Sequence, residues 1–143
     1  MRQFKTFFYG SYINFDVLAE AGINKRDFQV GKINNFSLTI GPLANISVDS
    51  DSCVYGIVTQ LTRAELTELY GKHSITKLGG EYFPEAVMVS LNNADYQAAL
   101  VYVAESLKKA PIKPDYIQRI LVAARKHHFP AWYIQHIQSF APL

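Results

Sequence analysis

The order of patterns along the chain predicts an α+β fold, a curved sheet or small barrel with helices packed against it. Three observations predict it. Short apolar and aromatic runs with strand character fill the first two thirds of the 143 residues. Apolar stripes at helical spacing fill the last third. Turn-forming clusters separate the runs, with no linker, low-complexity tract or internal repeat, so residues 1–143 are expected to form a single domain.

The elements follow in order. Lys5 to Tyr9 reads as a first strand, broken by Gly10 and Ser11. A turn of small residues there exposes backbone N–H groups that can hold a carboxylate or oxyanion. Asn14 to Ala21 reads as a short helix with a stop at Gly22. Loose alternation from Phe28 to Ile40 suggests strands, and Gly41-Pro42 breaks them. Ala44 to Val48 and Cys53 to Val58 read as two further strands, divided by the polar run Asp49 to Ser52. Thr62-Arg63-Ala64-Glu65 is a capping box, so a helix is expected from Thr62 to Tyr70, with Gly71 as its stop. Tyr82 to Leu91 returns to strand character, and Pro84 within it argues for an edge or a bulge. Asn92-Asn93 is a turn, and Leu100 to Val103 favours a strand. Pro114 opens a helix with the stripe Ile117, Ile120, Leu121 and Ala124, and Pro130 divides it from a second helix carrying Tyr133, Ile134, Ile137 and Phe140.

Composition narrows the functions. About half the residues are apolar (49%), which is globular and not disordered. Net charge is +2, and no basic run exceeds Arg125-Lys126-His127-His128, so no nucleic-acid partner is expected. No stretch is long and apolar enough to span a membrane, and the N-terminal run is too interrupted for a signal peptide. The lone Cys53 fits a reducing compartment, so the expectation is a cytoplasmic protein without a disulfide. A homodimer is compatible with the sequence, which does not fix the oligomeric state.

These residues, taken in order, resemble the gamma-glutamylcyclotransferase-like proteins. Tyr9-Gly10-Ser11-Tyr12-Ile13-Asn14 is similar to the family's opening Tyr-Gly-Ser-Asn motif. Ala44-Asn45-Ile46 and Val54-Tyr55-Gly56-Ile57-Val58 resemble two of its strands, the second with Tyr for Trp. Leu66 and Leu69 resemble the helix that leads to the catalytic acid. Ala99 to Ala104 resembles a late strand, and Lys113 to Ala124 followed by Pro130 and Tyr133 resembles the C-terminal helical segment. The likeness runs through nearly the whole chain. It implies a small mixed six-stranded β-barrel with flanking helices.

It also implies a lyase or acyltransferase chemistry with no cofactor. The α-amine of a gamma-glutamyl group attacks its own γ-carbonyl, which releases an amine and leaves 5-oxoproline. A base must move the ammonium proton, and donors must hold the carboxylate and the developing oxyanion. By resemblance the substrate-binding residues are Tyr9, Gly10, Ser11, Tyr12, Ile13 and Asn14, with Tyr82 and Tyr133 in the pocket. The small-molecule partner carries an amino-acid-like or gamma-glutamyl group. Against the family's Leu-Asp-x-x-Glu the chain reads Leu69-Tyr70-Gly71-Lys72-His73, so Tyr70 stands for the Asp and His73 for the catalytic Glu; Tyr12 stands for the loop Asn.

Several side chains compete for the base. His73, with an ordinary pKa of about 6.5, is a competent base but lacks the negative charge that draws in an ammonium. A solvated cation after a helix is the simpler explanation of it. In a regular strand Glu81 and Glu85 face away from Tyr82 and so from the pocket; a bulge at Pro84 would return Glu85 alone. His127, His128 and His136 have no metal-ligand spacing with an added acid, so no metal is expected. Cys53 begins an apolar strand and reads as core. Three functions follow: a cyclotransferase with an altered base, a ligand-binding protein without the chemistry, or a diverged acyl-transfer enzyme of a specialised pathway. A carboxylate in the cavity beside Tyr9 to Asn14 would favour the first. A cavity walled by Tyr12, Tyr70 and Tyr82 would favour the others.

Overall fold

The computed structural model describes residues 2–71 and 81–142. Among these, five strands close into a barrel: β1 (Gln3–Phe8), β2 (Phe28–Ile40), β3 (Ala44–Thr62), β4 (Tyr82–Leu91) and β5 (Tyr96–Ala104), in the order β1-β3-β2-β4-β5. Neighbours are antiparallel except β1 and β5, which run parallel and close the ring. Four α-helices flank it: α1 (Phe15–Glu20), α2 (Arg63–Tyr70), α3 (Pro114–Lys126) and α4 (Ala131–Gln138).

The expected six strands become five because two of them are one. The register of β2 against β3 jumps from Asn34↔Cys53 to Phe36↔Val48. Asn35, at φ 69°, alone faces the polar run Asp49 to Ser52, which bulges outward without ending β3. The polar signal was real, and it marks a change of register and not a turn.

Helix ends follow their sequence signals. Asn14 caps α1 by accepting from the Asp16 amide at 2.9 Å. The capping box of α2 is complete: the Glu65 amide donates to Thr62 Oγ1 at 3.2 Å, and the Thr62 amide donates to Glu65 Oε1 at 2.9 Å. Arg26 grips the same carboxylate bidentately at 2.8 and 2.7 Å and so ties α2 to the segment before β2. Pro114 starts α3, whose buried stripe Ile117, Ile120, Leu121 and Ala124 covers the barrel. Phe7, Ile33, Val54, Ile57, Leu61 and Val101, which the register distributes over both faces of the sheet, are almost fully buried.

Two backbone features position the site. Gly56 lies where a Cβ would collide with the Phe8 carbonyl and sit 2.7 Å from the Phe7 ring, so β1 and β3 approach more closely than any side chain permits. Beyond the end of β1, the tip of the β2–β3 hairpin folds back onto the β4–β5 pair. Asn45 fastens it there, its amide nitrogen donating to the Ala104 carbonyl at 2.8 Å and its oxygen accepting from the Ala104 amide at 3.1 Å. One side chain thus imitates a rung of sheet across a gap.

Candidate functional site

The break after β1 is a single 3-10 turn, Ser11–Ile13. It turns the chain over the open end of the barrel, close against the hairpin tip; a Cβ on Gly10 would lie 3.0 Å from that of Ala44. A cavity of about 70 Å³ opens between them. The turn contributes Tyr9, Gly10, Ser11 and Tyr12 to its wall, and the hairpin tip contributes Leu43 and Ala44. Tyr70 enters from the last position of α2, Tyr82 from the first of β4, and Tyr116 from the first turn of α3.

Five phenols therefore converge on one small space. Tyr12 meets Tyr70 edge-on at 5.7 Å between centroids, and Tyr70 lies 5.8 Å from Tyr82. The far side of Tyr70 is occupied by Tyr102, stacked 4.0 Å away and nearly parallel. Most of the hydroxyls are engaged with backbone. Tyr9 donates to the Tyr102 carbonyl at 2.6 Å and Tyr82 to the Ala44 carbonyl at 2.7 Å, while Tyr12 makes a longer contact of 3.4 Å with the Leu69 carbonyl. The Tyr116 oxygen instead accepts from the Ala44 amide at 2.9 Å.

Burial keeps all five neutral. It pushes the hydroxyls of Tyr9, Tyr70 and Tyr82 well above the ordinary value of 10, with neighbouring phenols adding to the effect, and raises Tyr12 as well. Burial also raises Tyr116, to about 12, against the opposing pull of hydrogen bonds from Ala44 and Ser11.

The predicted binding residues divide. Tyr9, Gly10, Ser11, Tyr12 and Tyr82 line the cavity. Ile13 is buried, and its carbonyl accepts from His127 Nε2 at 2.8 Å. Asn14 is a helix cap that also donates to the Arg119 carbonyl at 3.0 Å. Tyr133 stands in the core at 1% exposure, behind the wall and not in it, packed on Tyr55 and Trp132 at 5.1 and 5.5 Å. Its hydroxyl has no hydrogen bond of ordinary geometry among the described residues. Burial raises its pKa, although the Tyr55 backbone draws it part of the way back.

Glu85 is exposed, on a strand whose register runs unbroken from Tyr82↔Ala104 to Ser90↔Tyr96. Pro84 makes no bulge, so nothing returns Glu85 to the pocket; among the described residues, 82–89 are paired on one side only, which is where a strand tolerates proline. His73 lies outside the described residues. No cluster of three or more His, Cys, Asp or Glu suited to a metal occurs among the described residues, and no helix of theirs is long and apolar enough to cross a membrane. Tyr116 was missed as a wall residue; its place just after a helix-opening proline marks a helix start, but nothing local says what that helix start faces.

A closed mixed barrel with its loop-and-tyrosine cavity at one end defines a class of α+β domain. Solved structures specify that class. The chain is similar to a gamma-glutamyl cyclotransferase with TM-score 0.83 and 21% identity, over 99% of this chain and 90% of that one. It is similar to an uncharacterized human protein with TM-score 0.81 and 19% identity, over 100% of this chain and 90% of that one. A yeast gamma-glutamyl cyclotransferase specific to glutathione matches with TM-score 0.64 and 10% identity, over 98% and 96% of the two chains. No protein-family model and no curated protein matches the sequence. The chain thus has the gamma-glutamylcyclotransferase-like fold that its motifs resemble.

Proposed function

We propose that this is a single-domain gamma-glutamylcyclotransferase-like protein that binds a small amino-acid-like or gamma-glutamyl ligand and lacks the carboxylate-driven cyclisation. One observation carries it. All 12 acidic residues of the chain lie among the described residues, and none lines the cavity. The undescribed segment 72–80 contains no Asp or Glu in its sequence. The chain therefore has no side-chain carboxylate to place where the family uses one as its base.

The binding half of the site has support of its own. The Gly10 and Tyr12 amides, at the cavity wall, donate to no acceptor among the described residues. They are free to take a ligand carboxylate. The rival reading, a cyclotransferase with His73 as base, has one point in its favour. His73 follows the wall residue Tyr70 by three positions, within about 11 Å of chain.

The two are separated by measuring 5-oxoproline release from a panel of gamma-glutamyl amines and amino acids. The expected outcome is ligand binding without turnover in the natural chain, and new turnover in His73→Glu. Turnover by the natural chain that disappears in His73→Ala would establish the rival.

A further inference from the structure

The chemistry of the cavity wall says more about its ligand than the missing acid does. Tyr9 and Tyr82 have given their hydroxyl protons to main-chain carbonyls, so what these oxygens can still offer is lone pairs. Tyr12 leans the same way, toward the Leu69 carbonyl. The wall also carries the rings of Tyr12, Tyr70 and Tyr82, and an aromatic face bears partial negative charge. No Lys, Arg or His of the described residues lines the cavity; the donors at its wall are the Gly10 and Tyr12 amides and the Tyr116 hydroxyl, which suit the carboxylate end of a ligand and leave the tyrosine rings for a cationic end. The phenols do not ionise at neutral pH, so their attraction for a cation would come from quadrupoles and lone pairs and involve no formal charge.

Size gives a second constraint. One water needs roughly 10–15 Å³ of cavity. The cavity of about 70 Å³ thus holds a head group of about five heavy atoms, the count of a nitrogen with four carbons.

We infer that the tyrosine-walled cavity is a cation box that selects ligands by an organic ammonium head, methylated ammonium included, held against the rings of Tyr12, Tyr70 and Tyr82. This rests on the proposed binding function and names the ligand class for the same cavity. A carboxylate would grip a primary ammonium by directed, charged hydrogen bonds and would discriminate against methylation. Ring faces attract the charge without needing N–H groups, so the loss of the acid widens the range of amines admitted.

The test compares choline with 3,3-dimethylbutan-1-ol, its uncharged isostere, by calorimetry and by tyrosine-ring NMR shifts on the whole protein. Choline is expected to bind about tenfold more tightly or better than the alcohol, and to shift the cavity tyrosines. Tyr70→Leu is expected to lower choline affinity about tenfold, while Tyr96→Leu, on an exposed surface, leaves it unchanged. Should Tyr70→Leu fail to fold, the ligand pair decides alone. Equal affinity for choline and its isostere, or no choline binding, overturns the inference. If choline fails while L-glutamine or a gamma-glutamyl amide still binds at the cavity, the binding function stands and only the cation box falls. If none of these binds, both fall.

Discussion

Replacing Asn45 by alanine tests how the cavity is held shut. The side chain makes two hydrogen bonds, at 2.8 and 3.1 Å, both to the backbone of Ala104, a residue only 3% exposed. Truncation leaves a buried N–H and a buried C=O without partners. Each orphaned group costs about 1–3 kcal/mol, and Asn45 is half-buried, so water repairs part of the loss and the lower end applies. The expected destabilisation is about 2–3 kcal/mol, or a fall in Tm of about 6–9 °C for a domain of this size. Asn45→Asp keeps the acceptor and loses the donor, and falls between. Urea unfolding with an unchanged m-value is the assay. Ligand affinity is expected to drop too, because neighbouring Ala44 carries the bonds to Tyr82 and Tyr116. A loss below about 0.5 kcal/mol for Asn45→Ala would refute the claim that this side chain substitutes for sheet.

Other consequences can be checked with the same material. Gly56→Ala forces a methyl into the Phe8 carbonyl and the Phe7 ring; a loss of about 3 kcal/mol or more in chemical unfolding is expected. Folding holds the Tyr116 hydroxyl at about 12 against an ordinary 10, so its stabilising contribution is complete below pH 10 and disappears as pH rises through 12; alkaline melts and phenolate absorbance should show the loss together. The Arg26 hydrogen bonds hold Glu65 down to about 2 from 4.5, with opposite sign: that stability is present above pH 4.5 and is lost as pH falls toward 2. Arg26→Gln should flatten this acid limb and lower stability at neutral pH by a matching amount, discounted for the partial exposure of the pair.

Much of the fold was legible because its signals are local. The Thr62 capping box and the prolines at 114 and 130 each act within one helical turn, and the elements begin or end where they say. The strand count was not legible. Asp49 to Ser52 reads as a turn by composition, and only pairing with β2 reveals a bulge inside β3. The cavity shows the same division. Tyr9 to Tyr12 form a contiguous motif and could be placed by resemblance, but Tyr116 reaches the wall through the packing of α3 against that turn, a contact between residues about a hundred positions apart. Tyr133 was drawn to the pocket by resemblance, and the packing around Tyr55 took it into the core.

Four phenols of the cavity, Tyr9, Tyr12, Tyr82 and Tyr116, fasten to main-chain atoms of Ala44, Leu69 and Tyr102. A peptide group is the same whatever residue carries it. The side-chain identities at 44, 69 and 102 therefore do not enter these hydrogen bonds, although the packing of Ala44 on Gly10 and of Tyr102 on Tyr70 still constrains two of them. An enclosure built in this way is robust to substitution and vulnerable to insertion or deletion. Drift in such a protein should accumulate in its letters long before it shows in its spacing, which is how a shape can be shared at 10–21% identity.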